Sequence, residues 1–166
     1  SKRTLPLVVA GPPGLKDWHV RVMETSFPGS SKTKQKFDLE LRELTAGETT
    51  EVAGVTVTPH LVKHGQPDGP FFALRIEAEG RIVTYTGDTE WTDALIPAAK
   101  GADLFVAEAY FRDKSVPLHL DLATLEQHLP EIGAKKVVLT HMSDDMLRQV
   151  DDLAYETAED GMIVAF

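Results

Sequence analysis

Three polar residues stand where short apolar runs of this sequence stop. His64 closes LVKHG, Asp88 closes VTYTGDT and His141 closes VVLTHMS. Imidazole nitrogens and carboxylate oxygens are donors that divalent Zn, Fe, Mn or Co accept, and a carboxylate with two oxygens can bridge a pair of ions. The chain has no cysteine, so thiolate ligation and disulfides are out of reach and any metal site must be made from His, Asp and Glu. His119, in PLHLDLATLEQHL, precedes a predicted helix. An imidazole there titrates close enough to neutrality to hand a proton to a leaving group. Each residue taken singly has a plainer explanation. Strand-end histidines often serve only as hydrogen-bonding partners, an Asp after Gly commonly makes a turn or caps a helix, and His119 would pass as a surface residue. What favours chemistry is the recurrence at three strand ends, because in α/β sheets ligands collect outside the carboxyl ends of strands.

The elements that must position these residues are short apolar runs bounded by Gly and Pro, alternating with longer helical patterns. Residues 5–10 read as a buried strand stopped by GPPG, and 16–27 as an amphipathic helix with Trp18, Val20, Val22, Met23 and Phe27 on its apolar side. FDLELREL and VAGVTVTPHLVKH read as two β stretches with TAGETTE as the turn between them. Residues 71–77 and 81–86, separated by AEG, predict a hairpin. Alternating helices and strands follow. The pattern gives a helix over 91–100 with Thr89 as its cap, then a strand in ADLFVAEAY. A helix capped by Asp121 runs to Ile132 and ends at Gly133, followed by a strand in KKVVLTH, a helix from Asp144 to about residue 156 and a last strand in MIVAF. Hairpins first and αβ units afterwards predict an α/β fold, a mixed β-sheet with helices packed on one face.

Composition narrows the function classes. The 166 residues suit a single domain, 1–166, and 17 basic against 26 acidic residues give a formal charge of −9, which opposes non-specific attraction to nucleic acid. No apolar run approaches the roughly 20 residues of a membrane span, which predicts no membrane partner and a cytoplasmic location. GPPGLKD lacks the spacing of a phosphate loop and the hydroxyl residue after Lys16, so it predicts a tight strand-to-helix turn. SSKTKQK reads as a solvated loop, and Trp18 and Met23 as core or interface residues. His60, four residues before His64, falls on the same strand face and is a candidate to support it.

With those residues in view, the chain resembles the C-terminal half of a metallo-β-lactamase-fold hydrolase, nearest the ribonuclease Z-like branch. The resemblance is carried by VTPHLVKHG, IVTYTGDTEW, DLFVAEAYF, HLDLATLEQ and VVLTHMS, in that order, over nearly the whole chain. It implies half of an αββα sandwich and a site for two divalent ions, zinc foremost with manganese or iron as alternatives. In that site His64 binds the first metal, Asp88 bridges both, and His141 binds the second. His119 matches a histidine that assists leaving-group departure. Glu108 falls on the glutamate of a HEAT-like segment in which Ala107 stands for the histidine and Tyr110 for the threonine. Asp88 then stands bare because cations neutralise it, Gly87 lets the backbone aim it, and Thr86 and Thr89 are expected to orient its carboxylate. The chemistry implied is metal-assisted hydrolysis by a bridging hydroxide, whose pKa a metal lowers from about 15.7 toward about 7.

The family's HxHxDH motif, which supplies most ligands, does not occur in the sequence. The resemblance therefore implies a fragment, inactive alone, whose missing N-terminal half would cover an apolar sheet face. Left uncovered, that face predicts a homo-oligomer or pairing with the missing half. The connection expected to carry a transfer RNA-gripping arm is only AEG here, which, with the charge, argues against transfer RNA and for a small-molecule phosphodiester or ester. The alternative of another class is a non-catalytic α/β scaffold or dimerisation module with remnant ligands.

Overall fold

In a computed structural model, residues 3–65 and 69–166 are described; the first two residues of the SKRT lead-in lie outside them. The chain begins with β1 (Leu7–Gly11), α1 (Leu15–Ser26) and β2 (Leu39–Glu43), the two strands parallel in register from Leu7↔Leu39 to Gly11↔Glu43. The GPPG stretch turns into α1 through Gly14, at φ 90°. The N–H groups of Gly14 and Lys16 both reach the Glu43 carboxylate, at 3.0 and 3.3 Å. This turn is thus filled by the chain's own anion, as expected of a structural turn. Of α1 only Leu15 is buried, while Trp18, Val20 and Val22 are exposed.

A seven-stranded mixed sheet follows, formed by β3 (Thr50–Val52), β4 (Val55–Val62), β5 (Phe71–Ala78), β6 (Arg81–Tyr85), β7 (Leu104–Glu108), β8 (Val137–Thr140) and β9 (Glu156–Thr157), side by side in chain order. Pairs from β3 to β6 are antiparallel and pairs from β6 to β9 parallel. The AEG hairpin forms as expected, on Glu79 and Gly80 at φ 51° and 75°. VAGVTVTPHLVKH, expected as one stretch, is folded by the same device, since Ala53 and Gly54 at φ 51° and 88° make a two-residue turn between β3 and β4. Two left-handed residues in succession match the twist of antiparallel strands.

Helices α2 (Leu95–Ala99) and α3 (Leu122–Ile132) lie on one face of the sheet. There Ala73, Phe105, Ala107 and Leu139 of the strands meet Leu95, Ala98, Leu122, Leu125 and Ile132 in one core cluster. Each large side chain so buried contributes about 1.5–3 kcal/mol. Asp121 caps α3 through the Thr124 N–H (2.8 Å), and Gly133, at φ 62°, ends it. Asp103 locks the foot of β7, accepting Ile82 N–H (2.8 Å) and Lys135 Nζ (2.7 Å). Those hydrogen bonds, led by Lys135, hold its pKa down at about 2.

Three expected elements differ. The helix expected over 91–100 is only α2, because residues before it are held elsewhere: Lys63 and Glu90 form a β-bridge, and Thr89 N–H is tied to Glu108, so Thr89 is not a cap. The helix expected from Asp144 is one turn, α4 (Asp144–Leu147), capped by Ser143, followed by a 3-10 turn at Val150–Asp152. It buries only Met146, and Asp151 and Asp152 would place negative charge at the end of a continuing helix. MIVAF forms no strand; β9 pairs with β8 instead, and Ile163 is exposed.

The other face of the sheet is also apolar. Alternation puts Phe72, Leu74, Ile76, Val83, Tyr85 and Val106 there, opposite Ala73, Thr84 and Phe105 of the core side. The first four and Val106 are half-buried, and Tyr85 and Leu61 are exposed. No described helix is long and apolar enough to cross a membrane.

Candidate metal centre

Strands β4 and β6 run the same way because each is antiparallel to β5, and β7 and β8 are parallel to β6. Their carboxyl ends therefore share one edge of the sheet. His64 follows β4 by two residues, Asp88 follows β6 by three, Glu108 is the last residue of β7 and His141 comes immediately after β8. His119 arrives from the loop before α3.

The structure brings His64, Asp88 and His141 together. One Asp88 oxygen, Oδ2, lies 3.7 Å from His64 Nε2 and 3.5 Å from His141 Nε2. The opposite nitrogen of each ring is engaged. His64 Nδ1 is 2.9 Å from the Leu118 carbonyl oxygen, and His141 Nδ1 is 2.9 Å from Glu108 Oε1. Both partners only accept, so both Nδ1 atoms carry a proton, and in the neutral rings both Nε2 atoms are then lone pairs facing a carboxylate. Acceptors facing one another at such distances call for a cation between them. Two donors each about 2.0–2.2 Å from one tetrahedral zinc are about 3.3–3.6 Å apart. The donor set and its spacing therefore fit a divalent ion.

Backbone strain and a close approach support this arrangement. His141 is at φ 51° and Leu118 at φ 72°, left-handed values that non-glycine residues seldom take. The first swings the imidazole off the end of β8; the second lies at the carbonyl that orients His64. Gly87, at φ 62°, has the Phe72 carbonyl oxygen 3.2 Å from where a Cβ would stand, so the turn that delivers Asp88 suits glycine.

Glu108, whose role the sequence left open, is the organiser of the site. It is fully buried. Oε2 accepts the Thr89 N–H at 2.7 Å, while Oε1 takes both His141 Nδ1 and His119 Nδ1. Glu108, His119 and His141 form a three-donor group by distance alone. Their contacts are nonetheless complete as hydrogen bonds from two imidazole N–H groups to one carboxylate oxygen, and the Nε2 atoms stay available. The rings form a stack. Tyr110 lies on His119 (4.5 Å between centroids), His119 on His141 (5.2 Å), and His64 meets His119 edge-on (5.1 Å).

Two expectations are corrected. Thr86 and Thr89 hold backbone and not the Asp88 carboxylate: the Thr86 hydroxyl accepts Glu108 N–H and donates to the Gly87 carbonyl oxygen, and the Thr89 hydroxyl accepts Lys63 N–H and donates to that of Glu90. His60 faces the helix side of the sheet, where it pairs with Ala73 next to the Thr58↔Arg75 pair. Its Nε2 is buried without a hydrogen-bond partner among the described residues, and burial, then the Arg75 cation, lowers its pKa. Tyr85 was not singled out by sequence. Although its side chain is 40% exposed, partial desolvation, followed by the Asp88 and Glu108 charges, raises its pKa.

Comparison with known proteins gives this geometry a context. Residues 8–142 match a family described as Beta-lactamase superfamily domain. Ribonuclease Z of Brevibacillus brevis is 26% identical over 190 aligned positions, covering 83% of this chain and 58% of that protein. The crystal structure of human tRNase Z, short form, superposes with a TM-score of 0.72 at 22% identity, covering 99% of this chain and 69% of that one. Zn(2+)-bound PqqB from Methylobacterium extorquens gives a TM-score of 0.71 at 16% identity, covering 97% of this chain and 65% of that one. Likeness at these structural identities is one of fold. The chain spans between about half and two thirds of the length of the curated relatives it matches first.

Proposed function

The chain belongs to the beta-lactamase superfamily, with the metallo-β-lactamase fold, and from that premise we propose that it carries one side of a dinuclear metal-dependent hydrolase site acting on a small phosphodiester or ester. One observation carries the proposal: two imidazole Nε2 atoms converge on a single carboxylate oxygen while their Nδ1 atoms are held by acceptors. His64 and His141 would each hold one divalent ion and Asp88 would be shared between the two. Zinc suits these donors best, with manganese or iron as alternatives. Such ions supply an activated water near neutral pH and offset charge on the oxygen of the reacting group.

The rest is work for this chain's own residues. Leu118 and Glu108 fix the tautomers, so each ring meets its ion with Nε2. His119, held at Nδ1 by Glu108, would serve as an imidazolium that gives its Nε2 proton to the leaving group and is left neutral. Three donors fall short of two four-coordinate sites. The remaining ligands would come from a complementary N-terminal half seated on the apolar sheet face, or from a second copy of this chain. The half-uncovered face and the partial coverage of relatives support that division. The charge of −9 weighs against transfer RNA, and the proposed location is the cytoplasm.

Zinc titration of the chain, followed by hydrolysis of bis(p-nitrophenyl) phosphate with the complementary half added, tests the proposal. Zinc binding lost in Asp88→Ala and turnover only with both halves are expected. Equal zinc affinity in the variant would overturn the metal assignment and favour the scaffold alternative.

A further inference from the structure

Past the stacked rings, the site edge opens into two adjoining clefts that share Phe111 and Asp145. The nearer, about 460 Å³, is lined also by Tyr110, Met142, Ser143 and Asp144, next to His141; the farther, about 340 Å³, by Arg112, Asp113, Lys114, Arg148 and Gln149. Both volumes fall in the ~300–1,000 Å³ range of small-molecule sites. Resting on the hydrolase reading above, we propose that these clefts take the remote part of the substrate, and that Arg112, Lys114 and Arg148 bind a second anionic group, a phosphate, borne by a small molecule beyond the scissile bond.

The floor of the clefts is rigid. Tyr110 N–H donates to the Leu120 carbonyl oxygen (2.8 Å), Ser143 N–H to that of Tyr110 (2.9 Å), and Leu122 and Ala123 N–H to those of Phe111 and Arg112 (2.9 and 2.8 Å). Tyr110 stacks on His119 and meets Phe111 edge-on at 4.9 Å, so an aromatic wall leads from the site to the basic cleft. Lys114 Nζ sits 4.8 Å above the Phe111 ring, and Arg112 Nη1 is 3.3 Å from Gln149 Oε1. Both cations are thus steered by neutral groups that leave their charge unspent. Arg148 is paired with Asp145 at 3.2 Å, through an exposed ion pair of little energy that an incoming phosphate can displace. In the farther cleft Arg112, Lys114 and Arg148 outnumber the carboxylates of Asp113 and Asp145 by one, a small positive excess on a chain of net charge −9, which suits a small anion there better than the extended backbone of a nucleic acid.

The probe is inorganic pyrophosphate, titrated in the presence of EDTA into the ¹⁵N-labelled chain. Shifts confined to residues 110–114 and 143–149 are expected. So is a dissociation constant at least about tenfold larger in Arg112→Ala/Lys114→Ala, through loss of two cations, and unchanged in Asp88→Ala. All substituted cleft residues are exposed, so folding is not at stake. Absence of binding, or binding indifferent to the double substitution, overturns the proposal. A single-stranded RNA 12-mer that outcompetes pyrophosphate on the same residues overturns the small-molecule assignment. In the two-half enzyme, bis(p-nitrophenyl) phosphate, which has no second anion, should keep its KM in the double variant, whereas a diester with a remote phosphate should show a raised KM at constant kcat. Pyrophosphate binding without any turnover defeats the hydrolase reading alone, and turnover without pyrophosphate binding defeats the subsite alone.

Discussion

Replacing Glu108 with glutamine changes one buried oxygen to an amide and removes one charge. In the wild-type chain that carboxylate receives the Thr89 N–H and two imidazole N–H groups and donates nothing. If the amide oxygen faces the rings, both imidazole bonds fall from charge-assisted to neutral strength, about 1 kcal/mol each, and the amide NH₂ meets the Thr89 N–H, leaving a buried donor unmade at about 1–3 kcal/mol. The flipped amide is worse, because two N–H groups then face NH₂. Glu108→Gln should therefore lose about 3–5 kcal/mol in urea unfolding and weaken zinc binding about 10–100-fold, the range expected when the group orienting a ligand is altered. Long-range ¹H–¹⁵N spectra read the tautomers directly. His64, anchored to Leu118, and His141, which still faces an acceptor oxygen, should both keep the proton on Nδ1 in the variant. A loss under 1 kcal/mol, or a wild-type His141 protonated on Nε2, would refute the reasoning.

Gly87→Ala should destabilise by about 1–2 kcal/mol, through its left-handed φ, and should weaken zinc binding through displacement of Asp88; calorimetry and zinc titration check both. Asp121→Ala removes the α3 cap and should cost about 1 kcal/mol, with faster amide exchange at Thr124. Asp103, held at about pKa 2 against an unfolded value of 3.8, contributes stability that is fully present above pH 4 and disappears as the pH falls through about 2. Asp103→Asn should accordingly be less stable than wild type at pH 7 and converge with it by pH 2, and a stability gap independent of pH would contradict the Lys135 contact as its source.

What could be read from sequence was whatever local chemistry decides. Asp121 and Gly133 bracket α3 because a cap and a left-handed stop act within a few residues, and the AEG hairpin was equally plain. Ala53–Gly54 uses the same turn but lies inside a longer β-like run, so nothing separated its two strands. The expected helices near 91 and 144 failed where tertiary contacts, or the lack of an apolar stripe, override propensity. At the site, His64, Asp88 and His141 could be picked out because each ends an apolar run. The role of Glu108 could not, since its partners stand 19, 11 and 33 residues away and only the fold gathers them.

The order of strands in the large sheet bears on how the site comes into being. The β3-to-β6 meander pairs neighbours in sequence, at low cost in loop closure, whereas each step from β6 to β9 needs a long crossover. His64 and Asp88 belong to the quickly assembled side; Glu108, His119 and His141 wait for the slow one. Zinc should then be captured only at the end of refolding, so that a stopped-flow zinc indicator lags the amide-exchange protection of the meander strands and reports when the two sides have docked.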